Sequence, residues 1–305
     1  MSPIAFFLIV ASASLHATWN LMAKKSHMTI AFYAVICTTA MLMWLNVQFW
    51  TPIKVTALPL RFFLLTCGSA FCDAVLYSYG LKKTYEAMEM ATAYPIMRAT
   101  PILLTAFFTA MFGLGTPVGW LARLGFVVVF IGALMMPLNS LADFRPSRYL
   151  TWGMVYVLIA ACGTTGYTIF DSEAQAALRR CVPEVAKPIT SITYYNIRGM
   201  VLSTTLWLLV LCNAKERASA LGFWRERNWR PVLAGICASL TYVLVLLAMN
   251  YVTNVSYVQV FRQLGLPLGM LGGMVVLKEK APPVKWAGVA LIVVGLTLTV
   301  LKIKS

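Results

Sequence analysis

The chain has 305 residues, 60% of them hydrophobic and 11% charged, with a formal charge of +15. A soluble domain carries roughly a quarter charged residues, whereas the apolar residues here fall in blocks of about 18 to 24, the length a helix needs to cross about 30 Å of hydrocarbon. This composition argues against a soluble globular protein, and the absence of any nucleic-acid motif argues against nucleic acid as the partner of the positive charge.

The first block, Pro3–Ala23, lacks a basic stretch before it and a small-residue cleavage site, and is expected to be a retained helix rather than a signal peptide. It places His16, Trp19 and Asn20 on one face at i, i+3 and i+4. Further apolar blocks follow at 29–50, 60–81, 87–112, 117–137, 150–171, 189–212, 230–252, 255–277 and 283–301. A backbone in lipid must satisfy its own hydrogen bonds, so each is expected to be a helix, ten in all. The segments 138–149, 172–188 and 213–229 are expected to be polar loops, and no linker is long enough to set apart a soluble domain.

Three arginines interrupt this apolar pattern. Arg98 sits in "AYPIMRATP", Arg198 in "YYNIRGMVL" and Arg262 in "YVQVFRQLG", each roughly eight or more residues, or about 12 Å of helix rise, from the nearer end of its block. Each costs about 2.5–3.5 kcal/mol at the centre of a span, more than snorkelling can recover at that depth. Asp73 in the third span can neutralise one of them, and Glu89 lies near the start of the fourth. Either the arginines pair internally and hold helices in register, or they line a wet cavity and receive an anionic ligand. A guanidinium suits the second role through its bidentate fork and weak hydration.

Helical spacing supplies their neighbours. Tyr94 precedes Arg98 by four residues, Tyr194 precedes Arg198 by four, and Gln259 precedes Arg262 by three. Thr164, Tyr167, Thr168 and Asp171 share one face of the sixth block. The candidate substrate-binding set is therefore Arg98, Arg198, Arg262, Tyr94, Gln259, Trp19, Asn20, His16, Tyr167 and Tyr194, with Asp73 as the candidate proton-coupling group. Ordinary helix packing or an interfacial aromatic belt competes for each aromatic residue. Pro95, Pro101 and Pro267 are expected to kink the fourth and ninth helices, and the glycines of "GLPLGMLGGM" permit close helix contact. The seven cysteines contain no CxxC and read as small hydrophobes, and two distant histidines do not make a zinc site.

The two halves of the chain echo each other. "LIVASASLHATWNLMA" aligns with "VLIAACGTTGYTIFD", Arg98 falls on Arg262, and Gly125 and Gly132 match Gly288 and Gly295 in spacing. Repeats of five spans must enter the membrane in opposite senses, so residues 1–140 and 141–305 are expected to be two inverted five-helix repeats within one membrane domain. With an even number of spans both termini lie on one side. Lysines and arginines concentrate in loops after odd-numbered spans, which puts the termini on the non-cytoplasmic side.

"LHATWNLMAKKS" at the end of the first span and "VVLKEKAPPVKWAGVALIVVGLTL" across the ninth-to-tenth junction resemble the drug/metabolite transporter superfamily, in its EamA-type ten-helix branch. The likeness runs along essentially the whole chain. It departs in the first-repeat turn "FGLGTPVGW", which lacks the acidic residue that "LKEKAPPVKW" carries as Glu279. The resemblance implies a secondary transporter in a bacterial-type inner membrane, among relatives that move amino acids, sugars, nucleotide-sugars, phosphorylated metabolites and drugs. Together with the arginines it leads us to expect export of a small anionic or zwitterionic metabolite, a carboxylate-rich amino-acid derivative or a phosphate or phosphonate compound, by proton coupling or exchange. No cofactor is expected. A cationic drug exporter, which wants a deep carboxylate in an aromatic box, and a membrane enzyme acting on a lipid phosphate stand as alternatives. Walker, dinucleotide-binding, HExxH and GxSxG motifs do not occur.

Overall fold

The computed structural model describes residues 2–23, 29–88, 90–143, 151–276, 278 and 281–301, with side chains except at 17–23, 90–92, 94 and 276. Helices occupy almost all of it, and no strand occurs among the described residues. The first half runs α1 (Pro3–Ala23), α2 (Ile30–Met43), the one-turn α3 (Val47–Trp50), α4 (Leu60–Phe71), α5 (Ser78–Ala87), α6 (Met90–Met111) and α7 (Trp120–Met135). The second runs α8 (Trp152–Cys181), α9 (Lys187–Leu211), α10 (Ala214–Arg225), α11 (Arg230–Met249), α12 (Ser256–Phe261), α13 (Gly265–Val276) and α14 (Pro283–Val300). A π-helical turn, Cys72–Tyr77, joins α4 to α5, and a 3-10 turn, Arg262–Leu264, joins α12 to α13.

Five helical runs are long and apolar enough to cross a membrane: Ile30–Trp50, Leu60–Ala87, Trp152–Cys181, Arg230–Met249 and Pro283–Val300. A sixth is added if α9 and α10, bent by 110° at their junction, count as one span. Shorter apolar stretches, Pro3–His16, Pro95–Met111 and Trp120–Met135, lie in α1, α6 and α7. Large apolar side chains such as Phe7, Leu64, Phe107 and Val294 face outward, while Asp73, Asp171, Arg198 and Gln263 are buried. That distribution suits a chain dissolved in hydrocarbon, where polar groups must find partners inside.

The polar segments differ from the loops expected of them. Residues 172–181 continue α8, because "SEAQAALRR" is built of strong helix formers, and the helix stops where Pro183 disfavours a helical residue before it. Residues 214–225 form α10, capped by Asn213, whose Oδ1 accepts the Lys215 and Glu216 N–H groups at 3.0 and 3.4 Å. The ninth block is broken as its proline suggests: Pro267 offers no N–H to the Gln263 carbonyl, and the chain tightens to 3-10 geometry at that point. The fourth stays one helix, α6, with Pro95 and Pro101 inside it.

Packing is tightest where side chains are missing. A Cβ added at Gly125 would lie 2.5 Å from the Gly295 carbonyl oxygen, and one at Gly132 would lie 2.7 Å from that of Gly288. Those bare surfaces let α7 and α14 touch backbone to backbone. Elsewhere α1 packs on α11 and α13, α8 on α4, α5 and α6, and α2 on α9 and α11. Gly163 of α8 receives the π turn, where an added Cβ would come 2.5 Å from the Tyr77 nitrogen.

Candidate functional site

A cavity of about 140 Å³ opens between α1, α2, α8, α9, α11, the π turn and the break in the ninth block. Its polar walls include His16, Tyr33, Asp73, Tyr167, Arg198 and Arg262. The volume holds a cluster of waters or a small metabolite, and falls short of a typical drug-sized pocket of about 300–1,000 Å³.

One wall is an ion cluster. Arg198 of α9 donates from Nη2 to Asp73 Oδ2 at 2.6 Å and from Nε to Asp171 Oδ1 at 3.0 Å. Its Nε also reaches Ser69 Oγ at 2.8 Å, and Ser69 donates its hydroxyl proton to Asp171. Tyr194 donates to Asp171 Oδ1 at 2.6 Å, Tyr242 donates to Asp171 Oδ2, and Tyr33 donates to Asp73 Oδ1 at 2.7 Å. The Arg198 guanidinium lies 5.6 Å from the Tyr167 ring centre and 5.3 Å from that of Tyr242. Both carboxylates and the guanidinium are buried. Charge-assisted bonds offset part of the desolvation cost of such a set. With two carboxylates against one guanidinium, the fully ionised cluster carries one negative charge in excess.

The π turn that carries Asp73 is a local widening of the helix, a feature found often at functional sites. Asp171 reaches the cluster because α8 runs ten residues past it. Sequence reading placed Asp171 on a polar face but at the end of its span, and so missed it as a second carboxylate. Tyr33 and Tyr242, which hold the free lobes of the two aspartates, carried no periodic signal of their own.

The second wall is the break at Arg262. Arg98 of α6 donates from Nη2 to the Arg262 carbonyl oxygen at 2.7 Å, and Gln263 Nε2 donates to the Arg98 carbonyl at 3.0 Å. Arg98 does not line the cavity; its guanidinium is seated against Gly265, where an added Cβ would lie 2.9 Å from Nη2. It therefore supplies a donor at the broken turn. The Arg262 side chain does line the cavity, with its guanidinium 6.0 Å from the Tyr242 ring centre. Among the described residues Arg262 makes no ion pair. His16 lies within electrostatic reach of both Arg98 and Arg262.

The other sequence candidates fall at different distances from the cavity. Tyr167 lines it, and Tyr194 stands behind the ion cluster as a ligand of Asp171. Gln259 donates to Thr168 Oγ1 at 2.5 Å and ties α12 to α8 away from the cavity. The side chains of Trp19, Asn20 and Tyr94, and the residues Glu89 and Glu279, lie outside the described residues.

No family model matches the chain, and no curated protein matches it. Among solved structures, 28 chains match. One, described only as "Crystal structure of protein", is 16% identical, with a TM-score of 0.67, and the match covers 97% of this chain and 96% of that one. At that identity the likeness concerns the fold alone.

Proposed function

We propose that the protein is a secondary transporter of a small anionic or zwitterionic metabolite, built as ten spans in two inverted five-helix repeats of the drug/metabolite transporter type. The repeat reading is supported by the way contacts exchange between the halves. Gly125 meets Gly295 and Gly132 meets Gly288, while the sequence echo pairs Gly125 with Gly288 and Gly132 with Gly295. Each contact is thus converted into the other by swapping the halves, as a two-fold axis across antiparallel helices requires. The packing of α1 on α11 is likewise the counterpart of α8 on α4 and α5. The excess of lysine and arginine in loops after odd-numbered spans supports an orientation with both termini on the non-cytoplasmic side.

The observation that carries the substrate class is the contrast between the two arginines of the cavity. Arg198 is committed to two aspartates, whereas Arg262 presents its guanidinium to the cavity with no ion pair among the described residues. The carboxylate or phosphate of a ligand completes it. Arg98 positions this group by holding the carbonyl of the same residue. Asp73 is the coupling group, because it accepts from two donors where Asp171 accepts from four, and losing its charge still leaves Arg198 paired with Asp171. Protonation of Asp73 then leaves a neutral pair.

The cation-exporter reading has one observation in its favour, the tyrosines that line the cavity together with Asp73. Two of those rings already face the protein's own guanidinium groups, however, which leaves less of the box for a foreign cation. A thermal-shift screen of the purified protein with acidic, zwitterionic and cationic metabolites separates the two. Stabilisation by anions or zwitterions that disappears in Arg262→Gln supports the proposal; stabilisation by cations alone overturns it.

A further inference from the structure

Helix α10 leaves α9 at 110°, so with α9 crossing the membrane it runs along the surface. It is firmly fastened. Glu216, buried at its first turn, accepts the Ala31 N–H at 3.0 Å and the Lys82 ammonium at 2.6 Å. Phe223 packs edge-on against Phe32, with ring centres 5.9 Å apart. Between the end of α10, the start of α11 and α2 lies a second cavity of about 370 Å³, lined by Val35, Phe223, Trp224, Arg227, Asn228 and Trp229 among others.

The turn beside it is built in an uncommon way. The Asn228 N–H donates to the Phe223 carbonyl at 2.9 Å and the Arg227 N–H to that of Trp224 at 3.3 Å, the paired bonds of a helix-ending motif whose left-handed position usually belongs to glycine. Here that position is Arg227, at φ 49°. A left-handed conformation costs a residue with a Cβ and is worth asking about when the side chain points to a groove. Arg225 and Arg230 lie two and three residues from it in the chain, and Trp224 and Trp229, which line the groove, are exposed next to the start of α11. From Ala214 to Arg230 the segment holds five basic and two acidic residues, one of them the buried Glu216. Apolar walls, two tryptophans and a basic rim at a span end match one chemistry: a phosphate above an acyl chain.

We propose that this groove binds one anionic phospholipid, its phosphate on Arg227 and an acyl chain along Val35 and Phe223. On the orientation proposed above from loop charge, the groove faces the cytoplasmic leaflet, where juxtamembrane basic segments meet anionic lipid. The site needs the chain to sit in a bilayer and is independent of what the central cavity carries.

The test uses the purified full chain in detergent. Its melting temperature is followed with added phosphatidylglycerol, phosphatidylcholine or soluble glycerol 3-phosphate, in wild type and Arg227→Gly. Glycine fits the left-handed position, so Arg227→Gly is expected to melt no lower than wild type without lipid. Phosphatidylglycerol is expected to raise the wild-type melting temperature by roughly 3–6 °C, phosphatidylcholine and glycerol 3-phosphate to leave it unchanged, and Arg227→Gly to lose at least half of the rise. An equal rise with phosphatidylcholine, a rise with glycerol 3-phosphate, or a full phosphatidylglycerol response in Arg227→Gly overturns the proposal.

Discussion

Arg198 and Arg262 place the same side chain on two walls of one cavity, in opposite circumstances. Arg198 is buried on an unbroken helix, with two carboxylates and a serine oxygen around its guanidinium. Arg262 lies at a helix break, half-buried, with a ring for a neighbour and no ion pair among the described residues. The first arrangement meets the guanidinium with the protein's own groups, while the second is the one to which the proposed ligand is assigned. The cavity therefore has one wall whose guanidinium is held by the protein's own carboxylates and one whose guanidinium pairs with none among the described residues, and the two can be told apart by what removing each does.

The largest effect is expected from Arg198→Gln. Removing the guanidinium strands two buried carboxylates, and breaking a buried pair in this way costs about 3–5 kcal/mol. Thermal unfolding in detergent should show a large loss of stability, whereas Arg262→Gln should unfold almost as wild type and lose its response to ligand. Equal losses in the two variants would erase the distinction.

The two aspartates sharpen the same comparison. Asp171 accepts from Ser69, Tyr194, Tyr242 and Arg198, so Asp171→Asn disturbs four donors at once and should cost about 1–3 kcal/mol. Asp73 accepts from Tyr33 and Arg198, and Asp73→Asn leaves Arg198 balanced by Asp171. That variant should unfold close to wild type. In proteoliposomes its transport should lose its dependence on pH and keep exchange. A transport profile across pH that matches wild type would remove Asp73 from coupling.

The helices were legible in the sequence because hydropathy reports what lipid tolerates, and most of each apolar block lies on helix among the described residues. The lengths were less so. Hydropathy ends the sixth block at Asp171, but backbone propensity carries the helix to Cys181, and those ten residues turn an apparent span end into a buried acid. The same rule hid α10, which is helical by propensity and capping and too polar to register as a span. Arg98 and Arg262 stood out by position alone. Their separate roles did not, because they depend on a carbonyl exposed by the break at Arg262–Leu264, and side-chain periodicity carries no information about carbonyl partners.

Arg98 gives the smallest expected change in the response to ligand, a partial loss, and the most selective one. If its part in the cavity runs through the Arg262 carbonyl, Arg98→Gln removes the charge-assisted hydrogen bond to that carbonyl, worth about 1.5–3 kcal/mol. Part of that returns as the shorter side chain lets the break relax. Ligand-induced stabilisation should then weaken without vanishing, because the Arg262 guanidinium is still present though less well held. Arg98→Lys should recover most of the loss, since an ammonium can supply a single donor to a carbonyl even though it cannot reproduce a bidentate fork. A ligand held by both arginines predicts otherwise: Arg98→Gln would match Arg262→Gln in abolishing the response, and lysine would rescue neither position. Titrating ligand-dependent melting across these variants therefore reads whether the cavity has one receptive guanidinium or two.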